Sequence, residues 1–302
     1  MIKIYTTRIL FFLSFLFFIT INLQAQTQQY LHFDHGDDIV EIPAASQYIA
    51  GSNEISMTGW FYCDALSYGQ GYLSFRNGGT GDGEMYLIQL ANGKMECRLI
   101  INGTNYEVAT ADFVAVPEVW QHIAWIYDGS KVELFVDGIL IGSAPASGTI
   151  ASTDTPLSIG KHISPWGLAT WDGGIDEVTL WSKALTQENI QQMMANELNG
   201  NEPGLELYYK FNQGVPGADN TSISKLFSEV EPGVRDGDLV NFEMTGEVSN
   251  FVGTVDNSVQ VITFPAIADK LVSDAPFDLT ATSSSGLTVV YEIVSGPASI
   301  SG

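Results

Sequence analysis

Three aspartates stand close together near the start of the chain: Asp34, Asp37 and Asp38. Carboxylate oxygens mixed with backbone carbonyls are the hard ligands that Ca²⁺ requires, so this tight loop is a candidate calcium site. Aspartates are also common turn residues, because their side chains bond the neighbouring backbone. Both interpretations stay open at this point, and a melting experiment with and without a chelator would separate them.

Aromatic residues in glycine-rich stretches could bind sugars, because the apolar face of a sugar stacks on an exposed ring while polar groups take the hydroxyls. The candidates of this kind are Trp166, Trp171, Tyr68 and Tyr72. Each could instead anchor its loop to the protein. The other tryptophans of the body fall in strand patterns and are predicted to lie in the core: Trp60, Trp120, Trp125 and Trp181.

Two cysteines, Cys63 and Cys97, are too few for a disulfide framework or a zinc site. They could pair in an oxidising compartment. Cys97 alternates with Met95, Leu99 and Ile101, so it could equally be a free thiol on the apolar face of a strand. The four histidines have no metal-like spacing, and the sequence contains neither a nucleophile elbow nor a phosphate-binding glycine loop.

The charge of the chain excludes several partners. Twelve basic residues against 35 acidic ones give a formal net charge of −23. Such a chain repels phosphate backbones and anionic lipid surfaces, so nucleic acid is not an expected partner.

The N-terminus has the pattern of a signal peptide, predicted to occupy residues 1–26. Lys3 and Arg8 precede an apolar run from Ile9 to Ile21, and small residues follow near Ala25. The run is shorter than the roughly 20 residues of a spanning helix, so an uncleaved anchor is the weaker alternative. The mature protein is therefore expected to be secreted or to sit at the cell surface, with no membrane insertion after the signal is removed.

Strand patterns dominate the body of the chain. Asn92-Gly93 and Asn102-Gly103 divide one stretch into three short strands, and Asp-Gly pairs divide a second meander after Trp120. One helix is predicted from Gln187 to Leu198, capped by Thr186. Many strands with one short helix indicate an all-β fold, an antiparallel two-sheet sandwich.

The later part of the chain divides into two further segments. Residues 201–256 contain strand-like stretches that could complete the sandwich or link it onward. Residues 257–302 look like the first strands of an immunoglobulin-like module, which needs about 100 residues when complete. The chain is therefore expected to stop inside a domain, and a catalytic or sorting domain could follow it.

Four blocks follow one another in a fixed order: Tyr30–Pro43, Ile55–Phe61, Trp120–Gly129 with Val132–Gly138, and Leu157–Gly160 with Gly174–Trp181 and Leu185-Thr186. Together they resemble the laminin-G-like and pentraxin-like jelly rolls of the concanavalin A type that occur in secreted bacterial proteins, Bacteroidetes proteins among them. The resemblance covers residues 27–200 and implies a jelly-roll sandwich. It also adds Asp176 as a carboxylate that approaches the aspartate loop, giving a predicted calcium set of Asp34, Asp38 and Asp176. His35-Gly36 departs from the usual pattern, in which glycine directly follows the first aspartate.

Related jelly rolls also include glycoside hydrolases, which use two carboxylates. The laminarinase-like pattern Glu-x-Asp-x-x-Glu aligns with Asp176, but Gly174 and Thr179 stand at the two glutamate positions. We therefore expect a non-catalytic binding or adhesion module that recognises carbohydrate or an extracellular protein. A polysaccharide-degrading glycoside hydrolase and a structural spacer of an adhesin are the alternatives.

Overall fold

The computed structural model describes residues 29–67, 69–76, 78, 81–164, 167–254, 262–263 and 276–283. Two large antiparallel sheets face each other, which confirms the predicted all-β sandwich. Among the described residues, no helix has the length and apolar character needed to cross a membrane.

Sheet A has the strand order β10-β9-β8-β3-β14-β1-β18, and β15 also pairs with β14. Its strands are β1 Gln29–Asp34, β3 Ile55–Cys63, β8 Trp120–Tyr127, β9 Lys131–Val136, β10 Ile139–Pro145, β14 Asp172–Trp181, β15 Leu205–Tyr209 and β18 Phe251–Gly253.

Sheet B has the order β16-β17-β2-β11-β4-β5-β6-β7. Its strands are β2 Ile39–Ile42, β4 Gln70–Ser74, β5 Met85–Gln89, β6 Met95–Ile101, β7 Thr104–Ala109, β11 Leu157–Ile159, β16 Lys225–Leu226 and β17 Gly237–Val240. A hairpin of β12 Lys161–Ser164 and β13 Gly167–Thr170 lies against β4, and β19 Ile262–Thr263 pairs with β20 Thr282–Ser283. Two short 3₁₀ helices occupy Ala45–Tyr48 and Ala91–Gly93.

The main core lies between the sheets and follows from the period-2 pattern of the strands. On β3 and β14, Phe61 and Ile175 are paired neighbours that point inward and are almost completely buried. The residues that alternate with Phe61 and Ile175 along these strands point away from sheet B. They include Trp60, Tyr62 and Gly174, and we call the surface that they form the outer face of sheet A. This alternation decides which side chains solvent can reach.

One α-helix, α1 Gln187–Ala195, covers part of that outer face. Thr186 caps it, because its hydroxyl accepts the backbone N–H of Asn189 at 3.2 Å, as expected from the sequence. The helix ends earlier than predicted, since Asn196 already has extended backbone angles. Ile190 and Met194 pack with Trp60 and Trp181 in a second, smaller core.

Two of the predicted hairpin turns have the backbone that their sequences require. Asn102 and Gly103 have φ angles of 51° and 71°, and Asp137 and Gly138 have 50° and 70°. Both central residues of such a turn must adopt positive φ, which Asn, Asp and Gly tolerate best.

Residues 201–254 supply strands to both sheets. β15 pairs with β14 and β18 pairs with β1 in sheet A, while β16 and β17 extend sheet B from β2. The sandwich therefore continues well past residue 200. Most of the stretch 257–302, for which we predicted an immunoglobulin-like module, lies outside the described residues.

Candidate functional site

The predicted sugar-binding aromatics divide into two groups. Tyr68 and Trp166 lie outside the described residues. Trp171 and Tyr72 are each only 1% exposed, and their ring centroids are 4.5 Å apart inside the main core. The prediction that these two rings face solvent from loops is therefore corrected. Trp171 precedes β14 directly, and Tyr72 lies on β4 where the register is irregular between Gly71 and Leu73, so both rings fill space between the sheets.

The predicted calcium ligands lie in two separate places. Asp34 is opposite Asp172 in the β1–β14 pair, so Asp176 lies four residues further along β14. At about 3.3 Å per strand residue that separation is about 13 Å, too far for one ion to bridge. No group of three or more His, Cys, Asp or Glu side chains with metal-binding geometry occurs in the part of the chain that the structure describes. The set Asp34, Asp38 and Asp176 therefore does not fit a single calcium ion.

Asp38 has a structural role in the β1–β2 loop. Its carboxylate accepts the Ser249 hydroxyl at 2.9 Å and the backbone N–H of Asp34 at 3.1 Å, and the residue is 1% exposed. The pKa of Asp38 is raised to about 7, mainly by burial and in part by the charges of Asp34 and Asp37, while the two hydrogen bonds oppose the shift. Asp38 thus joins this loop to the segment that precedes β18.

Asp176 is buried on the outer face of sheet A, opposite Trp60. Its Oδ1 atom has no hydrogen-bond partner among the described residues. Burial, followed by the charge of neighbouring Glu177, raises the pKa of Asp176 well above its ordinary value. Glu177 interrupts the β14 register with a φ of 51° and accepts a hydrogen bond from the Tyr208 hydroxyl.

Both cysteines are buried free thiols, so of the two interpretations left open by the sequence the structure contains the unpaired one. The Cys63 thiol lies 3.1 Å from the carbonyl oxygen of Ala65. Burial raises the pKa of Cys63 to about 12 and that of Cys97 well above its usual value. Neither thiol is therefore in the reactive thiolate form near neutral pH.

A half-buried group of aromatic side chains, which the sequence did not identify, lies on the outer face of sheet A. Tyr30, Tyr62 and Trp120 come from β1, β3 and β8, and we call these three residues the aromatic cluster. The Trp120 ring lies edge-on to Tyr30 with centroids 5.0 Å apart, and 5.6 Å from the ring of Tyr62. Trp120 was predicted to lie in the core, yet solvent reaches part of it, unlike Trp60, Trp125 and Trp181.

Gly174 makes the close packing of this cluster possible. A Cβ atom at this position would come within 2.7 Å of the Tyr30 ring and 2.8 Å of the Trp120 ring. Both values are well below a normal carbon–carbon contact, which is about 3.5–4.0 Å. The absence of a side chain at residue 174 therefore lets the two rings lie against the sheet.

Polar groups surround the aromatic cluster on its rim side. His32 Nε2 lies 3.0 Å from the carboxylate of Asp64, which is exposed at the end of β3. Burial, followed by the charge of Asp64, raises the pKa of Tyr30 and also that of Tyr62. The exposed Glu118 precedes Trp120 and contributes to the shift at Tyr62. Rings and acceptors thus occupy one continuous surface.

The outer face of sheet B is also polar, and many of its groups bond one another. The Tyr86 hydroxyl donates to Glu96 at 2.7 Å, and the guanidiniums of Arg76 and Arg98 each lie 5.3 Å from the Tyr86 ring. His162 of the β12–β13 hairpin contacts the same ring, and its own Nδ1 lies 3.1 Å from the Ser74 hydroxyl. Tyr86 is only 3% exposed, so this network fastens the hairpin to the sheet and leaves little for a ligand to contact.

A strand pattern places Tyr30 and Tyr62 on outward positions, and that much is readable from the sequence. Which strands lie side by side is not, because β1, β3, β8 and β14 are distant along the chain. The useful signal is Gly174 inside a predicted strand, since a glycine there often marks close approach of another group.

Comparisons with known proteins agree with this fold. The family model described as the concanavalin A-like lectin/glucanases superfamily matches residues 34–191. No curated protein sequence gives a significant match. A Bacteroides ovatus protein described as a candidate carbohydrate-binding protein shares 18% identity and a TM-score of 0.51, covering 76% of this chain and 61% of its own. This chain thus spans about three-fifths of that relative.

Two further solved structures are similar at lower scores. The CBM40 module of the Ruminococcus gnavus IT-sialidase has 15% identity and a TM-score of 0.45, with 55% of this chain and 97% of that chain covered. Domains LG4-5 of the mouse laminin α1 chain have 16% identity and a TM-score of 0.42, with 53% and 44% covered. Since the family model covers half of the chain, the protein belongs to the concanavalin A-like lectin/glucanase superfamily.

Proposed function

We propose that this protein is an extracellular, non-catalytic module that binds carbohydrate at the aromatic cluster. The observation that carries the proposal is the arrangement of Tyr30, Tyr62 and Trp120 as half-buried rings around Gly174, next to the exposed carboxylate of Asp64. Carbohydrate binding is also the description given to the Bacteroides ovatus protein of the same fold.

The physical basis is the mixed character of a sugar. Its C–H face is apolar and packs on an aromatic ring, whereas its hydroxyls need hydrogen-bond partners when they leave water. Rings held by packing lose little conformational freedom when a ligand binds. Asp64, His32 and Glu118 offer a carboxylate, an imidazole and a second carboxylate beside these rings.

The laminarinase-like hydrolytic motif is not completed on β14. A retaining glycosidase needs two carboxylates about 5 Å apart on the two sides of the scissile bond. On β14, Gly174 contacts the aromatic rings, and the Thr179 hydroxyl is bonded to Thr58 and to the Trp181 indole. Neither position supplies an acid to accompany Asp176.

Secretion is part of the proposal and rests on the signal-peptide pattern of residues 1–26. The calcium set predicted from the sequence, Asp34, Asp38 and Asp176, is not part of the proposal, and calcium binding by the chain stays a prediction. Its test is a thermal melt in Ca²⁺ and in EDTA, where binding to the folded state would raise the melting temperature. Equal melting temperatures in Ca²⁺ and in EDTA would show that the folded chain binds no calcium ion.

The experiment for the proposed function is glycan-array screening of the mature chain, followed by calorimetry with cello-, xylo-, manno- and laminari-oligosaccharides. We expect binding that weakens by at least tenfold in Trp120→Ala and is kept in Tyr106→Ala, a half-buried tyrosine on β7 of the other sheet. Release of new reducing ends by the purified chain would instead indicate an enzyme. The absence of any glycan binding would indicate a spacer or a protein-binding module.

A further inference from the structure

The register of sheet A places a row of carboxyl groups across three strands. Asp34 and Asp172 are directly opposite each other on β1 and β14, and the N–H of Asp64, which follows β3, donates to the Asp172 carbonyl at 3.0 Å. Phe33 points into the main core and Gly174 points outward, so the alternation of each strand directs Asp34 and Asp172 outward as well. The row therefore lies on the outer face.

This row is next to the aromatic cluster. His32 and Tyr62 are both opposite Gly174, one on each side of it. Asp172 comes two residues before Gly174 on the same strand, a separation of about 7 Å. His32 Nε2 lies 3.0 Å from Oδ2 of Asp64, which fixes this exposed carboxylate beside the rings. Only one of its oxygens takes part in that contact, so the other can accept a hydrogen bond from a ligand.

Two further exposed carboxylates face the rings from other segments. The N–H of Glu118 donates to the Cys63 carbonyl at 2.7 Å, which holds Glu118 beside the end of β3. After burial, its charge contributes to the raised pKa of Tyr62, and the charge of Glu247 contributes in the same way at Tyr30. Among the described residues, no lysine or arginine acts on either phenol. The accessible rings are thus bordered by acidic groups.

The basic groups that face this border are two histidines. Burial, followed by the charge of Asp64, raises the pKa of Asp172, whereas His35 and His32 oppose the shift. Two imidazoles therefore face the three aspartates of the row and the two glutamates beside the rings. Negative charge predominates on this part of a chain whose formal net charge is −23.

Rings bordered by carboxylates have a particular ligand chemistry. The faces of tyrosine and tryptophan attract an ammonium group, and a neighbouring carboxylate accepts its N–H in a charge-assisted hydrogen bond. A neutral sugar gains neither contribution, and a sugar acid is repelled by the same charges. A protonated amino sugar combines an apolar C–H face with an ammonium group, so it uses both halves of this surface.

We propose that the aromatic cluster, with its carboxylate border, selects glycans that carry free amino groups over neutral and acidic glycans. The proposal rests on the proposed function, since it names the class of sugar that the same site binds. The apolar face of one sugar unit packs on the rings, and its ammonium group donates to Asp64.

The test is calorimetry with four β-1,4-linked hexamers, built from glucose, N-acetylglucosamine, glucosamine and glucuronate. They share one backbone and differ only at C2 or C6. At about pH 6 the amino groups are protonated. We expect the glucosamine hexamer to bind about tenfold more tightly than the glucose and acetylated hexamers, and the glucuronate hexamer to bind most weakly. The preference should shrink in about 1 M salt, which screens exposed charges, and should persist in EDTA.

Two variants assign the preference to this surface. Asp64→Asn and Glu118→Gln each remove one charge and keep the shape of the side chain, and both residues are exposed, so the melting temperatures should change little. Each variant should reduce the ratio of glucosamine to glucose affinity by about three- to tenfold. Asp154→Asn is the matched control. Asp154 is exposed in the loop that leads to β11 of sheet B, and its replacement should leave the ratio unchanged.

The outcomes separate this proposal from the proposed function. Equal affinities for the glucosamine and glucose hexamers would overturn the selectivity and leave sugar binding intact, whereas an absence of binding to every glycan would overturn both. Tetralysine that binds as tightly as the glucosamine hexamer would show attraction to any polycation and would also overturn the selectivity. An unchanged ratio in both Asp64→Asn and Glu118→Gln, or loss of the preference in EDTA, would contradict its assignment to these carboxylates.

Discussion

Gly174 is the residue on which the proposed site depends most directly. Its φ is not in the left-handed region, so alanine fits the backbone there, but the added Cβ would meet the rings of Tyr30 and Trp120. We expect Gly174→Ala to displace these rings, to weaken sugar binding by tenfold or more, and to cost about 1–3 kcal/mol of stability through overpacking. Calorimetric titration and chemical denaturation would measure the two effects.

Gly81→Ala is the control for this substitution. A Cβ at residue 81 would meet only the Glu84 carboxylate at 3.8 Å, and its backbone φ is also ordinary. Full sugar binding by Gly174→Ala would show that the ring arrangement does not form the site.

Glu177 gives the protein a predictable dependence on pH. Its pKa is raised from an ordinary value of 4.5 to about 8, mainly by burial and in part by the charges of Glu197 and Glu229, while Tyr208 and Lys210 oppose the shift. The unfolded chain releases this proton at a lower pH than the folded chain does. The contribution of Glu177 to the free energy of unfolding is therefore complete below pH 4.5. It is lost as the pH rises towards 8.

We expect Glu177→Gln to reduce this loss, so that the variant gains on the wild type between pH 4.5 and 8 by an amount on the order of a few kcal/mol. Denaturation of both proteins across that pH range is the measurement. The buried Asp176 also has a raised pKa and retains part of the slope in the variant. Parallel stability curves for the two proteins would show that Glu177 ionises normally in the fold.

The exposure of individual side chains was the property that the sequence predicted least well. Trp171 and Tyr72 have the glycine-rich flanks of loop residues, yet their rings fill the core. Trp120 has the flanks of a core strand, yet it is half-buried. In both cases exposure depends on which strand lies opposite, a non-local property that neighbouring residues do not determine.

Among the secondary-structure elements, the features that depend only on neighbouring residues were predicted correctly. The Asn-Gly turns and the Thr186 cap depend on residues next to one another in the chain, and the structure has all of them. The strand order was not predictable. β1 lies between β14 and β18, and its partners Ile175 and Phe251 are more than 140 residues from Leu31 in the sequence.

The segment after residue 200 tests how far the folding unit extends. Leu207, Tyr209 and Phe251 are completely buried, and β15 and β18 each pair with a strand that borders the aromatic cluster. A chain of residues 27–200 should therefore be unfolded or aggregate, since the loss of each large core side chain costs several kcal/mol.

A chain of residues 27–254 is the matched comparison and should fold cooperatively. Circular dichroism and thermal melting of the two chains measure the difference. A cooperative transition in the shorter chain at an unchanged temperature would show that these strands are peripheral.

For the whole molecule, the sequence predicted the fold class and argued against nucleic acid as a partner. The position of the proposed ligand surface required the structure. Alternating strands and one capped helix were enough for the sandwich. The net charge of −23 argues against polyanionic partners at any site. Both outer faces of the sandwich carry aromatic and polar side chains, however, and only the contacts distinguish the polar network around Tyr86 from the accessible rings around Gly174.

The most direct test of the account follows the tryptophan indole N–H signals by two-dimensional NMR during titration with an oligosaccharide that the array identifies. If sugar binds at the aromatic cluster, the Trp120 signal shifts with the ligand, while the buried Trp125 and Trp171 do not respond. A shift of Trp166 with Trp120 unchanged would contradict this prediction and would move the binding site away from the aromatic cluster.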